Sequence, residues 1–271
     1  MADSRKIAVL GAGKLGEALI RGLVDAGAFA ASAVTATAGH PQRVTQLRER
    51  LGVRATLSNV EAVKDAGIVI LSVKPQTVAA VLEEIRGALD PSQLLISVAA
   101  SVSTSFIQKR LDRPVPVVRA MPNTPALVRQ GMTGLAAGSH ATPAHLETAL
   151  AIFRAVGRTV IVDEKHMDAV TALSASGPAF LYIVIESLAE AGVKVGLPRD
   201  VATELAAQTV RGSGAMVLET GEHPAKLKDL VTTPAGCTID GILELEDGGL
   251  RVTLIKAVVR ATQRARELLD G

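Results

Sequence analysis

The sequence holds one cysteine, no tryptophan, one tyrosine and four phenylalanines in 271 residues. A lone Cys237 cannot close a disulfide within the chain, and a structural zinc cluster needs more ligands than it offers. Aromatics at 2% leave little from which to build stacking platforms for single-stranded nucleic acid. Neither sign of charge dominates. Lys and Arg number 29 against 27 Asp and Glu, a net of +2, so there is no basic footprint for a polyanion. A long clean apolar run is missing too. The uncharged apolar stretch at residues 169–185 is interrupted by Ser174, Ser176, Gly177 and Pro178 and makes a poor membrane span. Four of the first six residues are polar, Asp3 to Lys6, and the short apolar run after them, Ile7-Ala8-Val9-Leu10-Gly11, is too brief for a signal-peptide core. The five histidines (His40, His140, His145, His166, His223) form no i, i+4 pair, so neither a metal site nor a Ser/His/Asp triad is expected. These absences lead to the expectation of a soluble cytoplasmic protein with no nucleic-acid or membrane partner.

What is present is apolar bulk. A chain that is 48% hydrophobic buries a large core and is not disordered, and its length suggests about two domains. In residues 1–163, short Val/Ile/Leu runs alternate with helical periodicity. Strands are expected at 6–10, 33–37, 68–73, 94–98, 115–120, 133–137 and 159–162, with helices at 14–26, 41–51, 77–88, 104–111 and 143–156. Continuous apolar strands fit a parallel sheet covered on both faces. The rhythm changes near Asp163. Residues 164–271 show no strand pattern and read as helices at 165–173, 178–191, 199–218, 224–230, 239–245 and 250–269. Residues 170–185 are apolar on more than one face, and about a hundred residues can hardly bury such a helix alone. A second subunit is expected to cover it. The fold class expected is therefore α/β, with an N-terminal Rossmann-like, doubly wound parallel sheet followed by an all-α dimerisation domain.

The sharpest local motif is Gly11-Ala12-Gly13-Lys14-Leu15-Gly16, directly after the first strand and opening the first helix. Gly11 suits the tight turn, Gly13 lets backbone approach a pyrophosphate, and Gly16 lets helix and strand pack closely. The free N–H groups of the helix start then face the phosphates. At the end of the second strand no acid stands ready for a ribose 2′-hydroxyl. The segment reads Thr35-Ala36-Thr37-Ala38-Gly39-His40-Pro41-Gln42-Arg43, and Glu49 is the first carboxylate. Thr37, His40 and Arg43 would instead meet a 2′-phosphate, which favours NADPH with NADH possible. Arg43 as an ordinary solvated helix residue is the alternative. Asn59 is placed in the same cofactor-binding set. Two loops at strand C-terminal ends complete it: Val73, Lys74 and Pro75 after one strand, and Met121, Pro122 and Asn123 after another. Prolines alone would make the second loop a stiff connection, while Asn123 and Thr124 between them favour a ligand role.

Taken together, the chain resembles the pyrroline-5-carboxylate reductase family from end to end. The likeness rests on the glycine turn, Val73-Lys74-Pro75-Gln76, Arg119-Ala120-Met121-Pro122-Asn123-Thr124-Pro125, Ser174-Ala175-Ser176-Gly177-Pro178-Ala179-Phe180, and the stretch 227–246 around Thr233-Pro234-Ala235-Gly236-Cys237-Thr238. The family usually carries two glycines in that last turn. Here Ala235 replaces one, which matters if the position needs positive φ, and Cys237 replaces a threonine or alanine. The resemblance implies hydride transfer from NADPH to the cyclic imine 1-pyrroline-5-carboxylate, giving L-proline. It also implies a substrate site at Ser176, Thr233, Ala235, Gly236, Cys237 and Thr238, with Thr238 catalytic beside the imine nitrogen, and a homodimer that assembles in many members into a decamer. An N-cap role for Thr238 is compatible with the catalytic one.

Two rivals differ in class. A β-hydroxyacid dehydrogenase would place a lysine in the helix after the Gly177 turn, but the next lysine is Lys194. A non-catalytic dinucleotide sensor, or a reductase of another small cyclic imine, is kept open by Ala235 and Cys237.

Overall fold

The computed structural model describes residues 5–267. In chain order it runs β1 (Ile7–Leu10), α1 (Lys14–Asp25), β2 (Val34–Thr37), α2 (Pro41–Leu51), β3 (Arg54–Thr56), α3 (Asn59–Lys64), β4 (Ile68–Leu71), α4 (Val78–Ile85), β5 (Leu94–Ser97), α5 (Thr104–Leu111), β6 (Val117–Met121), β7 (Gly131–Ala137), α6 (Pro143–Arg154) and β8 (Gly157–Ile161). Helices alone follow: α7 (Met167–Val170), α8 (Gly177–Lys194), α9 (Arg199–Thr220), α10 (Pro224–Leu230), α11 (Cys237–Asp247) and α12 (Leu250–Glu267). The chain divides into two compact units. One runs to Ser176 and takes back the segment from Ala261 onward; the other is Gly177–Arg260.

The first unit is built on one eight-stranded sheet, order β3-β2-β1-β4-β5-β6-β7-β8. Two apolar clusters cover its faces. Ile7, Val9, Ile68, Ile70 and Ile96 point to one side, with Leu19, Leu23, Phe29 and Phe153 packed on them. Ala8, Leu10, Val69, Leu71 and Leu95 point to the other, against Val78, Leu82, Ile85 and Ile107. This alternation of fully buried residues explains why the strands read as unbroken apolar runs. The sheet is not parallel throughout, contrary to the expectation: β7 runs antiparallel to β6. The reason is the short link between them. A parallel return needs a crossover of roughly a dozen residues or more, and here a single 3-10 turn, Thr124–Val128, sends the chain straight back.

Two elements escaped the sequence reading. The edge strand β3 has three residues, too few for a period. Helix α3 has six, though its start carries a legible signal: the Ser58 side chain accepts a hydrogen bond from the Glu61 backbone N–H at 3.1 Å. The change of rhythm near Asp163 is the end of the sheet, while the compact units part only at Ser176. Between those points α7 passes into a π-helical turn, Thr171–Ala175, that apolar spacing could not reveal.

In the second unit, α8 meets α9 through small residues. Ala189, Ala202 and Ala206 are buried with Ile185 and Val193 against them. The close fit has no room for a side chain at Gly192, whose Cβ would lie 2.8 Å from that of Ala202. Its large apolar residues face outward instead: Leu181, Tyr182, Ile183 and Leu188 on α8, and Leu205, Met216 and Leu218 on α9, are exposed. By length and composition the run Glu164–Lys194 is also apolar enough to cross a membrane.

Candidate active site

The glycine turn is built as its spacing predicts. Gly11 adopts φ +81°, and a Cβ there would lie 2.4 Å from Val73 Cγ1 and 3.1 Å from the Ser72 carbonyl oxygen. At Gly16 a Cβ would meet the Gly11 carbonyl at 3.0 Å, whereas at Gly13 it would meet nothing within 4 Å. The turn is thus closed on its floor and open where backbone faces outward. Gly13 caps α1 with no side-chain hydrogen bond, so the first N–H groups, around Lys14, Leu15 and Gly16, stay available. Beneath the turn the Ser72 hydroxyl is buried with no partner. An open, donor-rich cradle of this kind fits a pyrophosphate.

The side chains around the cradle are more committed than the sequence suggested. Thr37 Oγ1 accepts from the Gly11 N–H at 3.0 Å and donates to Asn59 Oδ1 at 2.7 Å, and Asn59 Nδ2 donates to Glu84 at 2.8 Å. Thr37 and Asn59 therefore brace the turn, a role the expected phosphate contact did not include. Arg43 lies beside the turn. Its guanidinium donates twice to the Ala12 carbonyl, at 3.2 and 3.1 Å, and pairs with Glu17 at 2.5 Å. Val73 packs against Gly11, and Lys74 and Pro75 lead into a short 3-10 turn, Pro75–Thr77.

The loop after β6 departs furthest from expectation. Met121 is buried with Ala136 and Met167. Asn123 uses its amide internally: Oδ1 accepts from the Met132 N–H at 2.9 Å and Nδ2 donates to the Ser174 carbonyl at 3.2 Å. Both side chains hold the loop, so what the loop around Pro122 leaves for a ligand is backbone and the exposed Thr124 side chain. Sequence reasoning also missed the charges beneath it. Buried Arg119 pairs with Asp168 at 3.2 Å and stands 3.8 Å from Glu164. Glu164 in turn accepts from the Thr104 N–H and hydroxyl at 2.7 and 2.6 Å. This network ties the chain leading to Ser176 to the sheet. Ser176 ends the π-helical turn, its N–H bonded to the Thr171 carbonyl at 2.9 Å.

In the second unit, residues 233–236 form a β-turn closed by the Gly236 N–H donating to the Thr233 carbonyl at 3.0 Å. Pro234 stands at its second position and Ala235 at its third with φ +59°, the left-handed conformation that a type II turn reserves for glycine. The departure seen in the sequence is therefore a strained one. Gly236, not Thr238, is the N-cap of α11, and no side chain caps it. The N–H groups of Cys237, Thr238 and Ile239 have no intrahelical acceptor, and among the described residues the hydroxyls of Thr233 and Thr238 take no partner. Such a helix start suits a carboxylate. Cys237 is exposed and unpaired. Left-handed strain costs about 1–2 kcal/mol, offset by roughly 0.5–1 kcal/mol of glycine entropy. Ala235→Gly is accordingly expected to stabilise the protein by about 0.5–1 kcal/mol, seen as a rise of roughly 1–4 °C in melting temperature. A fall in melting temperature would show the turn to be unstrained.

A glycine-turn cradle on a doubly wound sheet defines a dinucleotide-binding protein of the Rossmann class. Comparison with known proteins then narrows the class. A family model described as pyrroline-5-carboxylate reductase dimerisation matches residues 164–268, and one described as NADP oxidoreductase, coenzyme F420-dependent, matches residues 6–101. A pyrroline-5-carboxylate reductase of Methanosarcina acetivorans is 45% identical over 98% of this chain and 98% of its own. A solved pyrroline-5-carboxylate reductase from Coxiella burnetii is 36% identical, with a TM-score of 0.90 over 98% of this chain and 99% of its own. The Plasmodium falciparum pyrroline carboxylate reductase, solved with NADP bound, is 30% identical, with a TM-score of 0.89 over 98% and 99%. The chain belongs to the pyrroline-5-carboxylate reductase family.

Proposed function

We propose that this protein reduces 1-pyrroline-5-carboxylate to L-proline, the last step of proline biosynthesis, with NADPH preferred over NADH. The full-length match to reductases of that name carries the reading. Residues 11–16, with Val73, Lys74 and Pro75 and the backbone around Met121, Pro122 and Asn123, would hold the dinucleotide, whose reduced nicotinamide supplies the hydride. Thr37 and Asn59 keep that cradle in shape. The turn at Thr233, Ala235, Gly236 and Cys237, with Ser176, would hold the substrate, its carboxylate against the free N–H groups of α11. Thr238, hydroxyl unspent, would hydrogen-bond the ring nitrogen and keep its proton in place while the imine carbon beside it is reduced. The protonated imine is already an electrophile, so positioning and charge complementarity are what the protein must supply. We place the enzyme in the cytoplasm, as a homodimer whose second copy covers the outward apolar faces of α8 and α9 and which is able to assemble further into a decamer. The dimerisation family matched over residues 164–268 supports that use of the apolar run over a membrane span.

The direct test is an assay of the purified protein with NADPH and fresh pyrroline-5-carboxylate. Substrate-dependent loss of nicotinamide absorbance with equimolar proline supports the reading. Tight NADPH binding without turnover would favour the sensor. Arg43→Ala tests the cofactor preference: losing a charge-assisted hydrogen bond to a phosphate is expected to weaken NADPH about tenfold or more and NADH only slightly. Equal effects on both would remove Arg43 from the 2′-phosphate.

A further inference from the structure

The arginine assigned to the 2′-phosphate is not free. Glu17, one turn into α1, gathers three arginines: Arg43 Nη2 at 2.5 Å, Arg50 Nη1 at 3.3 Å and Arg21 Nη2 at 3.4 Å. Arg43 and Arg50 stand seven residues apart on one face of α2, and Arg21 lies four residues on from Glu17 along α1, so the carboxylate is the meeting point of two helices. Its side chain is 14% exposed, against 26% for Arg43. Partial burial pushes its carboxyl upward, but the hydrogen bond and charge of Arg43, with the charges of Arg50 and Arg21, outweigh that and hold it below the ordinary glutamate value. Glu17 is therefore an anion at neutral pH, placed against the cation that an incoming phosphate dianion would need.

We propose that Glu17 sets how strongly the protein prefers NADPH to NADH, by competing with the 2′-phosphate for Arg43 and repelling it. The proposal rests on the reading of Arg43 as the 2′-phosphate ligand. Geometry separates competition from support. Arg43 has two hydrogen bonds to the Ala12 carbonyl that do not involve Glu17, so the guanidinium is expected to stay beside the glycine turn when the carboxylate is removed. What the carboxylate adds is negative charge where a second negative group must sit. NADH carries a hydroxyl at that place and feels the carboxylate far less. Glu17 thus acts as a specificity residue that touches the cofactor's ligand rather than the reacting atoms.

The test is direct binding, read by nicotinamide fluorescence, of NADPH and NADH to wild type, Glu17→Gln, Arg43→Ala and the double variant, with melting curves to confirm folding. Glutamine keeps the shape and a hydrogen-bonding oxygen while removing the charge. Glu17→Gln is expected to tighten NADPH about fivefold with NADH unchanged within about twofold, and the gain should vanish in the double variant. If Glu17→Gln leaves the NADPH to NADH ratio unchanged or lowers it while Arg43→Ala still costs NADPH selectively, the competition is overturned and the reading of Arg43 stands. If Arg43→Ala weakens both cofactors equally, that reading fails and the proposal falls with it. Should Glu17→Gln melt early, Glu17→Asp, which draws the charge back from Arg43, must shift the ratio in the same direction; a ratio at or below wild type contradicts the proposal.

Discussion

Thr238→Ala is expected to lower turnover about a hundredfold while NADPH affinity stays within about twofold. The asymmetry follows from where the residue sits. Thr238 is the second residue of α11, and the capping position before that helix belongs to Gly236. Its hydroxyl is therefore not spent on the helix, and removing it leaves the fold and the glycine cradle intact. On the proposed reading, what is lost is a hydrogen bond to the imine nitrogen, an interaction that matters while the ring is being reduced. Thr238→Ser should recover most of the rate, since the hydroxyl returns. Steady-state kinetics with a parallel cofactor titration decides the point. An unchanged turnover would take Thr238 out of the chemistry, and a matching loss of NADPH affinity would make its role one of general architecture.

Gly11→Ala should act on the other half of the reaction, weakening NADPH by at least about tenfold with melting temperature only modestly lowered. Two costs combine there. Alanine at φ +81° pays left-handed strain, and its Cβ falls 2.4 Å from Val73 Cγ1 and 3.1 Å from backbone at Ser72 and Val73. The Val73 side chain can rotate, but the backbone of β4's end cannot, so the turn must lift off its floor. Lifting it also pulls the Gly11 N–H from Thr37 Oγ1, the bond that braces the turn through Asn59. Isothermal titration with NADPH reads the effect. Wild-type affinity would mean that the turn's shape is not what holds the cofactor.

Much of this architecture was legible in the sequence, for identifiable reasons. Strands buried on both faces leave continuous apolar runs, so β1, β4 and β5 announced themselves. The roles of Gly11, Gly13 and Gly16 follow from backbone chemistry that depends on spacing alone. At Ala235 the missing glycine could be flagged in advance, because only positive φ makes the change costly, and the turn proves to have it. Other features depend on contacts that no local pattern encodes. The sequence pattern points Thr37, Met121 and Asn123 toward a ligand; their side chains instead contact Gly11 and Asn59, Ala136 and Met167, and Met132 and Ser174. A polar side chain next to a glycine turn has the same sequence signature whether it braces the turn or meets a phosphate. The Arg119, Asp168 and Glu164 cluster joins residues far apart in the chain, and the three-arginine grip on Glu17 draws on two helices. The antiparallel β7 was hidden because strand direction is set by the link before it rather than by the strand's own residues.

The central claim is that hydride passes from NADPH to the imine carbon of the pyrroline ring, C2, which becomes C5 of proline, on this protein. The most direct measurement uses NADPH deuterated at C4 of the nicotinamide, prepared separately as each of its two stereoisomers, with unlabelled pyrroline-5-carboxylate, and reads the product by mass spectrometry and deuterium NMR. Proline carrying one deuterium at C5 with one of the two stereoisomers, and none with the other, is the expected result. Cofactor consumption without deuterium in proline from either one, or no consumption at all by protein that binds NADPH tightly, would contradict it.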